Sequence, residues 1–176
     1  MKLREMVLGA MMAAMALVIP LYFGFARVIL PPEFTATLAS HVPVMLAMFI
    51  SPWVAAIAGL GSALGFLMVL GPPIAARASI HIVWAVIGAV LYRRGFRPGL
   101  ILALILPIHA LGEALVLVPF GVPLSAALLV TGVGTAIHHV IDSIITLAVL
   151  GALVASGVAF TEMRRKEKRG TGDPVV

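Results

Sequence analysis

Eight ionisable side chains stand inside long apolar runs of this chain. They are Arg77, Glu113, Asp142 and all five histidines, His41, His81, His109, His138 and His139. Such groups are costly among aliphatic neighbours unless they are paired. Their spacing is ordered. Arg77, His81, Trp84 and Gly88 recur at intervals of four, three and four, one face of a helix. His109 and Glu113 are four apart, and Thr131, Thr135, His138 and Asp142 form another stripe, with His139 beside it. The set offers a permanent cation, several imidazoles and an aromatic face. Arg77 can clamp a carboxylate, rings of His and Trp can stack on a flat heterocycle, and Glu113 or Asp142 can accept a ring N–H or neutralise Arg77. A small, planar, acidic molecule suits that chemistry. Taken singly, each residue could equally fix helix register. Three helices carrying such groups at similar depth favour a pocket.

The elements that must position them span a membrane. Of 176 residues, 62% are hydrophobic and only 11% charged, with mean hydropathy +1.17; a soluble domain carries about 25% charged residues. With no cysteine, disulfides, thiolate metal sites and cysteine nucleophiles are excluded. Runs of about 20 apolar residues mark spanning helices, and Pro and Gly punctuate them. The expected helices cover about 5–26, 41–50, 53–70, 74–92, 100–118 and 131–159. This is an all-α polytopic membrane protein: a six-transmembrane-helix bundle in one domain, 1–160, followed by a basic tail, 161–176. A polar, Pro-containing connection, VILPPEFTATLAS, follows helix one, and His41 opens helix two from outside. A short outer segment is expected before helix six, which starts near Thr131.

Ten of the 12 Lys and Arg fall in three clusters: Lys2 and Arg4; Arg93, Arg94 and Arg97; and Arg164, Arg165, Lys166, Lys168 and Arg169. Six spans put all three on one side, which the positive-inside rule makes cytoplasmic, so both termini are expected inside the cell membrane. Only Arg27 and Glu33 charge the opposite connections. On helix one, Gly9 with Ala13 and Ala10 with Ala14 make small-xxx-small pairs, suited to close helix approach. Spacing alone favours packing within the chain for these residues.

With AxxxA from Ala10 to Ala14, the stretch TLASHVPVMLAMFISPWVAAIAGLGSALGF and the later IHHVIDSII, the chain resembles the substrate-binding S components of energy-coupling factor (ECF) vitamin transporters over nearly its whole length, and among them the niacin-specific branch. The resemblance implies a vitamin bound from outside by the loop between helices one and two and by helices four to six. Partners are then a transmembrane scaffold subunit, contacted by the AxxxA face (Gly9, Ala10, Ala13, Ala14), and two cytosolic ATPase subunits. No GxxxxGK[ST] loop is present, so ATP hydrolysis is left to those partners. The cobalt and nickel branch uses a histidine near the amino terminus, and MKLRE has none. The expectation is therefore no resident metal, no cofactor, no nucleic acid and no catalysis. Nicotinate would enter under a gating loop of Glu33, Phe34 and Thr35. Arg77 would take its carboxylate, His81, His109 and His138 would hydrogen-bond it, and Trp84 would stack. His41, Glu113, His139 and Asp142 complete the candidate substrate-binding set. Pantothenate and pyridoxine are alternative vitamins. The chief rival is an intramembrane metalloenzyme on the His109–Glu113 and His138–Asp142 pairs, although no HExxH is present; an ion-coupled carrier is disfavoured by the missing repeat.

Overall fold

The structure, a computed structural model, describes residues 3–31 and 34–157. Among them lie six helices and one β-hairpin. Helix α1 is Leu3–Tyr22, strands β1 (Arg27–Leu30) and β2 (Phe34–Thr37) follow, then α2 (Val42–Met48), α3 (Pro52–Leu70), α4 (Pro72–Arg93), α5 (Pro98–Leu115) and α6 (Leu124–Ala155). The chain is an all-α polytopic membrane protein. Helices α1, α4, α5 and α6 have the length and apolarity to cross a bilayer.

Local chemistry sets the helix ends. Ser51 caps α3, its hydroxyl accepting the Val54 N–H at 3.2 Å, and Pro52 fills the first helical position, where its missing N–H costs nothing. Gly71, at φ +84°, makes the sharp reversal into Pro72-Pro73 and α4. Within α6 a π-helical stretch, Ala127–Gly132, precedes regular α-helix from Val133 to Ala155. The short outer segment and the helix expected near Thr131 are thus one continuous element. Its inserted turn resets the register immediately before Thr135 and His138.

Two other expectations are corrected. Helix one stops at Tyr22, not near residue 26, and the connection after it is an antiparallel hairpin pairing Arg27 with Thr37 and Leu30 with Phe34. Helix two has only seven residues, about 10 Å at 1.5 Å per residue, and cannot cross alone. The chain from the hairpin descends into the bundle first, so His41 caps α2 from within. Every residue of α2 is buried. Met48 reaches α4 at Gly88, where a Cβ would lie 2.3 Å from its sulfur. Trp84, Phe49, Met45, Ile101 and Ile105 fill the core around it.

Helix α1 lies along α3 on small residues: a Cβ on Gly61 would sit 2.4 Å from that of Ala13, and one on Gly9 2.8 Å from Ile57 Cβ. Gly9 and Ala13 therefore pack inside the chain. Ala10 and Ala14 are exposed, amid exposed Met6, Val7, Met11 and Val18.

Candidate functional site

The hairpin roofs a cleft at one end of the bundle. Arg27, Thr35 and Thr37 line it from the hairpin, Arg77 and His81 from α4, Glu113 from α5 and His138 from α6, with His41 on the floor; its volume is about 40 Å³, room for a few waters. Arg77 stands five residues into α4 and His81 one turn deeper, about 8 and 14 Å down at the helical rise. Lipid-like surroundings would not tolerate these charges alone, and the structure pairs each of them.

Glu113 is the hub of one network. Its Oε2 accepts Arg77 Nη2 at 2.7 Å, Arg77 Nε at 3.2 Å and the Thr135 hydroxyl at 2.7 Å. Its Oε1 faces His81 Nε2 at 3.2 Å and His109 Nε2 at 3.3 Å. Arg77 is 5% and Glu113 2% exposed, so their attraction works with little screening. A buried pair of this kind is worth little beyond its own desolvation, but breaking it strands a charge.

Asp142 is the hub of the other. Its Oδ1 accepts the backbone N–H of Ala39 at 2.8 Å and its Oδ2 that of His41 at 3.0 Å. His138 Nε2 lies 3.2 Å from Oδ2 and 3.1 Å from the Thr37 carbonyl. His41 Nδ1 is also 3.2 Å from Oδ2, within ion-pair reach but without hydrogen-bond geometry. One carboxylate on α6 thus holds the descending segment between hairpin and α2. Phe34, next to Thr35 on β2, is buried beside the cleft. Its ring lies 5.5 Å from Arg77 Cζ, a cation–π contact, and packs so closely on Gly134 that a Cβ there would meet it at 2.8 Å.

The rings beneath the cleft are layered. His41 is central, with centroids 4.7 Å from His81, 4.6 Å from His109 and 4.6 Å from His138. Trp84 lies below, 4.9 Å from His109, fully buried and with its indole N–H unpartnered. His139 is further back. Its Nε2 is 2.9 Å from the Leu102 carbonyl and its Nδ1 2.9 Å from His109 Nδ1.

The candidate residues therefore converge, but at two depths. Arg77, His81, His41, Glu113, His138 and Thr35 face the cleft. Trp84, His109, His139 and Asp142 lie beneath or behind it, so Trp84 cannot stack on a molecule in this cleft without displacing imidazoles. Glu33 and the basic tail lie outside the described residues. Sequence reasoning missed Arg27, which lines the cleft, donates from Nε to the Thr37 hydroxyl at 3.4 Å and donates its guanidinium to the Pro20 carbonyl. The signal was present: Arg27 is the one basic residue in the sparsely charged connections opposite the basic clusters.

Fold and site together define a polytopic helical membrane protein with a small-molecule cleft built from buried ionisable groups under a hairpin roof. No family model and no solved structure matches the chain. The chain is similar to the niacin transporter NiaX of Lactococcus lactis subsp. cremoris (strain MG1363), 38% identical over 94 residues, which are 53% of this chain and 41% of that protein. The match thus spans about two fifths of the relative's length. It agrees with the resemblance read from the sequence.

Proposed function

We propose that this protein is the substrate-binding subunit of an ECF-type importer and that its vitamin is niacin, bound as nicotinate. The observation that carries the reading is the pair of guanidiniums, Arg27 and Arg77, lining one cleft that also exposes imidazoles of His41, His81 and His138. This is the donor-rich, cationic lining that a small aromatic acid needs, and a relative carrying the name niacin transporter supports it. Phe34, whose ring stands over Arg77, occupies the stacking position that a pyridine ring would take. Ligand entry then means withdrawing Phe34 while the hairpin lifts.

In this reading the hairpin end faces outside and both termini are cytoplasmic. The subunit binds and delivers without catalysing. Its exposed Ala10–Ala14 face on α1 meets a transmembrane scaffold subunit, which couples it to two ATPase subunits. The test is tryptophan fluorescence of purified protein in detergent, titrated with nicotinate, nicotinamide, pantothenate, pyridoxine and riboflavin, alongside affinity capture from membranes. Saturable quenching by nicotinate and recovery of ATPase subunits are expected. A response to pantothenate or pyridoxine alone would replace the vitamin, and silence to all five would remove the transporter reading.

A further inference from the structure

The histidines under the cleft contain a conflict that an ionised Glu113 and neutral imidazoles cannot resolve. The Leu102 carbonyl can only accept, so His139 Nε2, 2.9 Å away, carries its hydrogen. A neutral His139 then presents a lone pair at Nδ1. His109 Nδ1, 2.9 Å from that atom, must be the donor between them. This leaves His109 with a bare Nε2, and that atom points at Glu113 Oε1 from 3.3 Å. Two acceptors face each other at a distance too short for a water to stand between them, and His109 is 0% and Glu113 2% exposed. With Glu113 ionised and His109 neutral, the contact needs a cation between them, a proton or a metal ion.

We infer that His81, His109 and Glu113, with His41 as fourth donor, form a binding site for a divalent transition-metal ion. Donor atoms on one tetrahedral ion with bonds of about 2.0–2.1 Å lie roughly 3.3 Å apart. Glu113 Oε1 lies 3.2 Å from His81 Nε2 and 3.3 Å from His109 Nε2. Imidazole rings sharing such an ion have centroids about 5 Å apart, and those of His41, His81 and His109 are separated by 4.7, 4.6 and 5.4 Å. All four donor atoms fall within 4.8 Å of one another, so a modest turn of the His41 ring closes the set.

The surroundings are those of a supported metal site. Arg77 and Thr135 fix the other oxygen of Glu113. The His139–Leu102 relay fixes the tautomer of His109. Three imidazoles and one carboxylate select ions such as Zn²⁺, Co²⁺ or Ni²⁺ over Mg²⁺ or Ca²⁺. The second cluster, His41, His138 and Asp142, is the weaker candidate because backbone N–H groups already occupy both Asp142 oxygens. Charge is compatible with it. Arg27, Arg77, Glu113 and Asp142 sum to zero, and a divalent ion makes the set +2, the sign that attracts an anionic ligand. This site departs from the metal-free expectation drawn from the sequence and does not depend on which vitamin, if any, the cleft takes.

The experiment uses full-length protein purified without a polyhistidine tag, stripped with EDTA, equilibrated with Zn²⁺ or Co²⁺ and desalted. Elemental analysis should find one ion per chain, and the Co²⁺ form should show the intense visible absorption of a tetrahedral N/O site. His81→Ala and His109→Ala should each lose the ion. His139→Ala, a change at a positioning residue, should weaken retention by roughly tenfold or more. Should His109→Ala fail to fold, the Co²⁺ spectrum of the parent and the His81→Ala result still decide. A monodisperse parent that retains neither ion overturns the inference and assigns the cation to a proton between His109 Nε2 and Glu113 Oε1. Retention unchanged in both alanine variants overturns it equally. Nicotinate titration of the stripped protein separates this outcome from the fate of the vitamin reading.

Discussion

Asp142, in the middle of α6, receives the backbone N–H of His41 on Oδ2 at 3.0 Å across 101 residues of chain, while its Oδ1 takes that of Ala39 at 2.8 Å. The contact is a fastening. It fixes the descending segment between the hairpin and α2, and so fixes where His41 and the roof of the cleft can be. Replacing Asp142 by Ala leaves the buried His41 N–H and the half-buried Ala39 N–H without acceptors, at about 2–4 kcal/mol in total. Asp142→Asn keeps one acceptor and should lose about half as much. Thermal unfolding in detergent measures both. An Asp142→Ala protein as stable as the parent would mean that the fastening contributes nothing.

Ala39, in the same segment, has φ +66°, the left-handed region that costs a non-glycine residue about 1–2 kcal/mol. Glycine removes that strain and adds back some unfolded-state entropy. Ala39→Gly should therefore raise stability by roughly 0.5–1 kcal/mol, since the N–H bond to Asp142 is retained. A lowered melting temperature would show that the backbone relaxes elsewhere.

Much of this architecture is legible in the residues, for a physical reason. Charge within lipid is so costly that Arg77, Glu113 and Asp142 are conspicuous in an apolar chain, and a four-residue spacing puts His81 below Arg77 without any structure. Ser51-Pro52 and Gly71-Pro72 mark helix ends by chemistry that acts locally. The hairpin is not legible, because pairing Val28 with Ala36 depends on a partner strand and not on either strand's own pattern. Nor is the bond from Asp142 to backbone N–H groups, which carry no side-chain signature. His138 and His139 show the limit most clearly. Adjacent helical residues point about 100° apart, so His138, on the stripe of Thr135 and Asp142, reaches the cleft, while His139 turns back to the Leu102 carbonyl, a backbone partner that no side-chain spacing announces.

Along α1 and α3, contact depends on the absence of atoms. A Cβ on Gly61 would lie 2.4 Å from Ala13 Cβ, so Gly61→Ala forces the helices apart at about 1–3 kcal/mol. Adding Ala13→Gly deletes the opposing methyl. The double variant should recover most of the loss, less up to about 1 kcal/mol for a second helical glycine. A favourable coupling above about 1 kcal/mol in the double-mutant cycle identifies direct contact. Additive losses would place Ala13 elsewhere.

Arg77 and Glu113 separate stability from ligand binding. Arg77→Ala strands the Glu113 carboxylate among His81, His109 and Thr135 and should destabilise by about 3–5 kcal/mol. It also removes one guanidinium from the cleft, worth about 1.5–3 kcal/mol to a bound carboxylate, so nicotinate should bind roughly ten- to a hundredfold more weakly. A loss of affinity alone could reflect loss of fold, and the paired change Arg77→Met with Glu113→Leu distinguishes the two. With no charge left unpaired it should melt above Arg77→Ala, short of the parent by the Thr135 hydroxyl and His81 ring donor that lose Glu113 as acceptor, yet it should bind nicotinate no better than Arg77→Ala. Trp84, buried against His109, reports binding by fluorescence, and the melting curve reports the fold. If the paired variant both folds and takes nicotinate with the parent's affinity, the carboxylate is held by Arg27 and the imidazoles, and Arg77 serves only to neutralise Glu113.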